Sequence, residues 1–348
     1  SLKWMKSYLK DRMQYVPLAE KKSKVKVTNI GTPQGSRLSP ILFLCLMADM
    51  ELWTKDSKLS NFADDTQSII IKDNKKDALE TVKVESKKII DFFASNNFVN
   101  NANKAALIYN SKGKASEISV DIGGEMLCST YTEKLLGLHI NADLKWNSHI
   151  DEISSVLRKR IGILKRIKQK VPADKLSIIA DAIFNSVIRY GIAVYLLPTY
   201  EKEDLKARKL SSETESLQVI QNNMLRTIHG LRITDRVNML ELRKKIKMMS
   251  VNQMTIYHTI MEVFKILHNK SSEQINDKYR HLDRHSLRKN TNNCLRVPEL
   301  HEHRKCTGFT YCGAKIFNSL SIKIRETQDS NIFKELVKNW IWDEIPPY

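Results

Sequence analysis

Up to about residue 140 the apolar residues fall in short alternating runs separated by single helical stretches, and from Ile150 onward they recur every three or four residues. A period of two marks strands and a period of 3.6 marks amphipathic helices, so a mixed part must precede a mostly helical one. In the first part, a helical pattern (Leu2, Met5, Leu9) leads into two alternating runs, Gln14 to Leu18 and Lys24 to Asn29, which predict a hairpin. Gly31 to Ser36 has the composition of a loop, and Ser39-Pro40 opens a helix to about Thr54 that is apolar almost all round and therefore expected to be buried. Leu59 to Ile71 predicts strand, tight turn and strand, with Asp64-Asp65 at the turn and Ile69 to Ile71 buried. A charged helix over about 75–96 should turn Leu79, Val82, Ile89, Ile90 and Phe93 inward. Ile118, Val120 and Ile122 alternate before Gly123-Gly124, a hairpin signal, and Leu135 to Ile140 predicts one more strand. The fold class expected is α+β.

Beyond that point, Ile150, Ile153, Leu157, Ile161, Leu164 and Ile167 trace one helix that stops near Pro172. Further helical patterns cover about 174–197, 202–229 and 237–268, and the last 80 residues are mixed. The opposite face of the first of these helices is basic, with seven Lys or Arg and no acid between Arg158 and Lys170. It belongs to a wider asymmetry, since residues 151–348 carry +13 of the chain's net charge of +18. Such an excess favours a polyanionic partner, nucleic acid before membrane. The longest apolar run, Ile41 to Ala48, is eight residues, well short of the roughly 20 that cross a bilayer.

Five cysteines without framework spacing predict free thiols in a reducing, intracellular compartment, with nucleus or cytoplasm left open. Cys294, His301, His303, Cys306 and Cys312 cluster near the tail, but they lack a tight first pair of ligands, so zinc is not expected. The chain starts at Ser1 inside a helical pattern, as if cut from something longer.

Asp64 and Asp65 are the residues with chemistry in them. Adjacent carboxylates repel unless something positive sits near. A divalent cation would serve, and Mg²⁺ takes one or two protein carboxylates and fills its shell with water and phosphate oxygens. A solvated turn is the other reading, since Asp favours turns by itself.

Taken together, Gly31-Thr-Pro-Gln-Gly-Ser-Arg-Leu-Ser-Pro-Ile-Leu-Phe43 and Phe62-Ala-Asp-Asp-Thr66 resemble the reverse transcriptases of non-LTR (LINE-like) retrotransposons, which carry a GxPQGSxLSPxLF block and a (Y/F)xDD hairpin in this order. Asn100-Asn-Ala-Asn-Lys104 is similar to the family block whose lysine contacts the incoming nucleotide. Leu135-Leu-Gly-Leu-His-Ile140 is similar to the primer-grip strand, and Leu144-Lys-Trp146 with His149-Ile150 to the start of the thumb. Gly313 to Leu320 and Phe333 to Leu336 resemble segments near the carboxyl end of such proteins.

The resemblance implies a partial polymerase palm, an antiparallel sheet with helices, over 1–140, a basic helical thumb over 141–235 and a helical or mixed region over 236–348. It implies RNA-directed DNA polymerisation by two-metal transfer to a primer 3′-hydroxyl, with RNA template, DNA primer and dNTP as partners and two Mg²⁺ ions in the complete site. Asp64 and Asp65 would hold metal, and Lys104 would serve the leaving pyrophosphate. Pro33, Gln34, Gly35, Ser36, Phe62 and Ala63 would border nucleotide and template, and Leu136 and Gly137 would grip the primer. Arg158, Lys159, Arg160, Lys165, Arg166 and Lys168 would follow the duplex backbone. The family's fingers and first catalytic aspartate have no counterpart among the residues before Gly31, so the chain alone is expected to extend a primer far below a normal rate. The alternative is a non-catalytic nucleic-acid-binding remnant of such a protein.

Overall fold

The computed structural model describes residues 2–99, 101, 104–197, 211–268, 294–295, 297 and 308–345. They divide into two compact units, 1–133 and 134–348, so the expected thumb and C-terminal region share the second.

In the first unit, α1 (Leu2–Leu9) precedes β1 (Arg12–Gln14), β2 (Pro17–Leu18), β3 (Lys21–Lys22) and β4 (Lys26–Thr28). β1 pairs with β4 and β2 with β3, both antiparallel, which is the hairpin predicted from the alternation. α2 (Ser39–Ala48) follows, with Pro40 in the first turn where its missing N–H costs nothing. The all-round burial expected of α2 is not found, because Ile41 and Leu44 are more than half exposed. Only one side of this helix meets the small core of Met47, Met50, Leu59 and Phe92.

β5 (Lys58–Phe62) and β6 (Asp65–Ile69) pair antiparallel around the predicted turn. Ile69 and Ile71 are exposed, contrary to the expected buried strand, and among the described residues β6 pairs with β5 alone, as an edge strand of a two-stranded ladder. The palm sheet expected from the resemblance is likewise present only as separate two-stranded ladders.

α3 (Lys75–Ser95) is capped by Asn74, whose side chain accepts from the Asp77 N–H, and it buries Phe92 and, against type, Glu85. Burial pushes the Glu85 pKa up. Hydrogen bonds from the Lys88 ammonium (2.6 Å), the Ser57 hydroxyl (3.1 Å) and the Lys55 N–H (3.0 Å) outweigh that and hold it below its ordinary value. β7 (Asn110–Ser111), β8 (Lys114–Ala115), β9 (Ser119–Ile122) and β10 (Glu125–Cys128) complete the unit. β9 and β10 turn at Gly123-Gly124, both at positive φ as a two-residue hairpin turn demands.

The unit boundary falls within β11 (Thr132–Leu135), which pairs with β12 (Leu138–Asn141). The single strand expected over 135–140 is therefore a hairpin with its turn at Leu136-Gly137, both at positive φ (46° and 85°).

The second unit continues with α4 (Asn147–Ile167), then α5 (Ala173–Ala180), which passes through a π turn over 181–185 into α6 (Ser186–Arg189). After it come α7 (Ile192–Tyr195), α8 (Ser212–His229), α9 (Met239–Ile246), α10 (Val251–Leu267), α11 (Phe309–Asn318), α12 (Ile322–Arg325) and α13 (Ser330–Glu344). The helix expected over 174–197 breaks at Gly191, which is left-handed (φ +69°) and leaves no room for a side chain, since a Cβ there would meet Leu138 at 2.9 Å. The one expected over 237–268 is two helices. Lys247 (φ +54°) ends the first, and Ser250 with Gln253 forms a capping box that starts the second. Of the pattern over 202–229, residues 202–210 lie outside the described residues.

One core gathers α4, α5, α8 and the start of α10 around Leu157, Leu164, Leu176, Leu217 and Met224. Another gathers the rest of α10 with α11 and α13 around Ile260, Phe264, Phe317, Phe333 and Val337. The tail segments likened to retroelement proteins, Gly313 to Leu320 and Phe333 to Leu336, lie in this second core.

His149, at the start of α4, is 3% exposed and stacks edge-on against Tyr195. Burial, reinforced by His139 and Lys134 and opposed by Glu152, pulls its pKa from 6.5 to about 4. The unfolded chain takes up this proton first, so stability is full above about pH 6.5 and declines as pH falls towards 4, by up to about 3 kcal/mol from this group. Urea unfolding of His149→Phe at pH 7, 5.5 and 4.5 is expected to give a shallower pH dependence than the parent, by about one proton. Parallel profiles would refute it.

Candidate active site

The hairpin β5–β6 determines where the two carboxylates stand. Register pairs Phe62 with Asp65 and leaves Ala63 and Asp64 as the two-residue turn, with Ala63 at φ +52°. Phe62, Ala63, Asp64 and Asp65 are all exposed. Among the described residues neither carboxylate has a recorded ion pair or hydrogen-bonding side chain. Two adjacent anions on a short, rigid turn are suited to a divalent cation that keeps several waters and takes the rest of its shell from substrate. They do not close a site by themselves, and no group of three or more His, Cys, Asp or Glu able to hold a metal occurs among the described residues.

The loop before α2 is held by hydrogen bonds rather than by burial. The Pro33 carbonyl accepts from the Ser39 hydroxyl (2.5 Å) and from the Ser36 N–H (3.3 Å), and the Ser36 hydroxyl accepts from the Leu38 N–H (3.3 Å). Two residues that the sequence did not single out anchor it from outside. Tyr8 donates its hydroxyl to the Ser36 hydroxyl, and the Arg12 guanidinium donates to the carbonyls of Ile30 (2.9 Å) and Gly31 (2.6 Å). No local pattern could have found Tyr8 and Arg12, because their partners lie 18 to 28 residues away. Gln34 and Gly35 remain exposed at the tip, and Gly35 (φ +84°) has open space where a Cβ would stand, leaving its backbone approachable.

α2, β5 and α3 share the core of Met47, Met50, Leu59 and Phe92, so the loop at one end of α2 and the turn at the tip of β5–β6 are carried on one framework. Lys104 follows α3 and is exposed, its N–H bonded to the Asn101 carbonyl (3.0 Å). Among the described residues no recorded hydrogen bond or ion pair joins Lys104 or the loop to Asp64 and Asp65. Asn100, Ala102 and Asn103 of that block lie outside the described residues, as do His301, His303 and Cys306 of the tail cluster. Of that cluster, Cys312 is buried in α11, and Cys294 accepts from the Arg325 guanidinium (2.6 Å).

In the second unit, α4 turns Ile150, Ile153, Leu157 and Leu164 to the core. Arg158, Lys159, Lys165 and Arg166 are exposed. Arg160 and Lys168 are committed differently: Arg160 donates to the Ile183 carbonyl, set free in the π turn, and the Lys168 ammonium reaches the Thr227 carbonyl at the end of α8 (3.5 Å). Leu136 and Gly137 form the β11–β12 turn.

Residues 1–140 match the family model for reverse transcriptase (RNA-dependent DNA polymerase). This stretch, loop and Asp-Asp hairpin included, is similar to reverse transcriptase sequence. The chain is 26% identical over 239 residues to the RNA-directed DNA polymerase from mobile element jockey of Drosophila melanogaster, covering 65% of this chain and 25% of that protein. It is 24% identical over 241 residues to the corresponding Drosophila funebris protein, with the same coverage. The chain thus spans about a quarter of the length of the curated relatives it matches. At 239 residues the likeness necessarily runs past residue 140 into the helical unit. No solved structure matches the chain.

In metal-free buffer, Asp64→Asn should leave the melting temperature of the protein close to that of the parent, since both carboxylates are exposed. Millimolar Mg²⁺ or Mn²⁺ should raise the melting temperature of the parent and leave the double variant Asp64→Asn, Asp65→Asn unmoved. Equal metal responses would show that the turn is not where the cation binds.

Proposed function

We propose that this chain is the catalytic-hairpin and thumb portion of an RNA-directed DNA polymerase from a non-LTR retroelement. The observation that carries the reading is the Asp64-Asp65 turn: a register that leaves two adjacent carboxylates exposed and, among the described residues, with no recorded ion pair, downstream of a loop whose backbone is open at Gly35. RNA template, DNA primer and dNTP are the substrates.

Asp64 is a metal ligand and Asp65 its supporting neighbour. In the complete site these carboxylates would help to hold two Mg²⁺ ions, which would supply Lewis acidity to the triphosphate and favour ionisation of the primer 3′-hydroxyl. Around that chemistry, Pro33, Gln34, Gly35, Ser36, Phe62 and Ala63 border nucleotide and template, and Lys104 places a positive charge for the departing pyrophosphate. Leu136 and Gly137 hold the primer strand near its end. Arg158, Lys159, Lys165 and Arg166 neutralise duplex phosphates, while Arg160 and Lys168 spend their donors on the helices behind α4.

Fe²⁺ in place of Mg²⁺, with ascorbate and peroxide, tests the metal reading by cutting nucleic acid next to wherever the ion sits. On a bound RNA template with a DNA primer, cleavage is expected to centre on the primer 3′ terminus. It should disappear in Asp64→Ala while binding persists. Even cutting along the duplex, or a pattern indifferent to Asp64, would leave a protein that binds without polymerase chemistry.

The α4 reading has its own test in the salt dependence of that binding. Each of Arg158→Ala, Lys159→Ala, Lys165→Ala and Arg166→Ala should lower the slope of log affinity against log salt by about 1. Unchanged slopes would remove α4 from the interface.

A further inference from the structure

The β11–β12 turn is held from outside the hairpin. Leu136 stands at φ +46°, a conformation disfavoured for a residue with a branched side chain, and Gly137 at φ +85°. Three successive residues of the turn meet two successive residues at the helix break beyond α6. The Tyr190 hydroxyl donates to the Leu136 carbonyl (2.6 Å). A Cβ on Gly137 would lie 3.2 Å from the edge of the Tyr190 ring, and the Leu138 side chain occupies the space that a side chain on Gly191 would need.

Tyr190 is 60% exposed, so burial of its ring does not account for a tyrosine here. What the residue supplies is a hydroxyl spent on one backbone carbonyl, and a ring laid beside the adjacent glycine. The helix break serves the same end: the left-handed Gly191 ends the α6 run at Tyr190 and seats the Leu138 side chain beside it.

We propose that Tyr190 is a positioning residue for the primer terminus: it sets the direction of the Leu136-Gly137 backbone, so that the hairpin presents one fixed turn to the last primer nucleotide. This rests on Leu136 and Gly137 being the primer grip, and it adds that the helical unit, through one side chain, determines the geometry of that grip.

The test uses the full chain with a DNA primer on an RNA template, carrying 2-aminopurine either at the primer 3′ end or well upstream. Tyr190→Phe keeps the ring and deletes the hydroxyl. The variant is expected to melt a few degrees below the parent, as one lost hydrogen bond requires, and to bind the duplex as tightly. The population of gripped termini, read from the 3′-terminal probe, should fall about fivefold, the equivalent of one net hydrogen bond, with the upstream probe unmoved. Gly137→Ala, which drives a methyl against the ring, should give the same terminal effect. If that variant fails to fold, Tyr190→Phe decides alone. A terminal probe indifferent to Tyr190→Phe overturns the proposal and leaves the polymerase reading standing. So does a loss at both probes, which would mark Tyr190 as merely structural. A parent protein that binds no primer and template overturns the polymerase reading itself, and this proposal with it.

Discussion

Helix α10 is the member on which the second unit depends, because both of its cores are built on it. Val251 and Met254 close one core, and Ile256, Ile260, Val263 and Phe264 close the other. A helix so enclosed must also bury polar residues, and Gln253, Thr255 and Thr259 each find a partner. The Gln253 side chain caps the helix through the Ser250 N–H (3.0 Å) and donates to the Ile345 carbonyl (2.9 Å), tying the end of α13 to the start of α10. Thr255 and Thr259 return their hydroxyls to carbonyls one turn back. Beside the start of α10 lies Arg243, fully buried, its guanidinium held by the side-chain oxygens of Gln221 (2.7 Å) and Asn222 (2.6 Å). Burial pulls its pKa down to about 10, and it keeps its proton at neutral pH. A buried cation held by neutral amides, with its Nε left without a partner among the described residues, gives orientation more than stability. Here it ties α9 to α8 in one register.

The first unit works by the opposite economy. Among the described residues its hydrophobic cluster is four buried side chains with three partly buried aromatic and aliphatic neighbours, and Ile118 and Val120 are buried apart from it. The loop at Gly31 to Ser36 and the Asp-Asp turn gain little from apolar packing, so their shape comes from directional bonds: Tyr8 and Arg12 for the loop, strand register for the turn. This suits the charged, hydrated substrate proposed for the site. Packing apolar groups around Asp64 and Asp65 would penalise the ionised carboxylates that metal binding requires.

The same contrast explains what could be seen in the sequence. The Asp-Asp turn, α3 and α4 were legible because each is written locally: alternation around two polar residues, an Asn cap before a charged helix, an apolar stripe of period 3.6. The burial of α2 is not legible there because composition reports how apolar a helix is, not how much partner surface it meets. The break in the strand pattern over 135–140 is hidden because its turn uses Leu136 at positive φ, where propensity offers no warning. The anchors of the loop, Tyr8 and Arg12, bond across 18 to 28 residues, beyond any local pattern.

The basic face of α4 shows why charge counting needs geometry. In the sequence Arg158 to Lys168 is one uniform stripe, yet in the fold its members divide. Arg160 takes up a carbonyl that the π turn before α6 displaces, and Lys168 reaches the carboxyl end of α8, where carbonyls without helical partners gather partial negative charge. Both act as fasteners that hold α4 to the helices behind it. With α4 so fixed, Arg158, Lys159, Lys165 and Arg166 are presented on a supported helix, and the proposed polyanion would cost less ordering entropy to bind. The stripe is divided in direction within one residue type, since a cation on a long aliphatic stem can reach inward to a carbonyl as readily as outward to solvent.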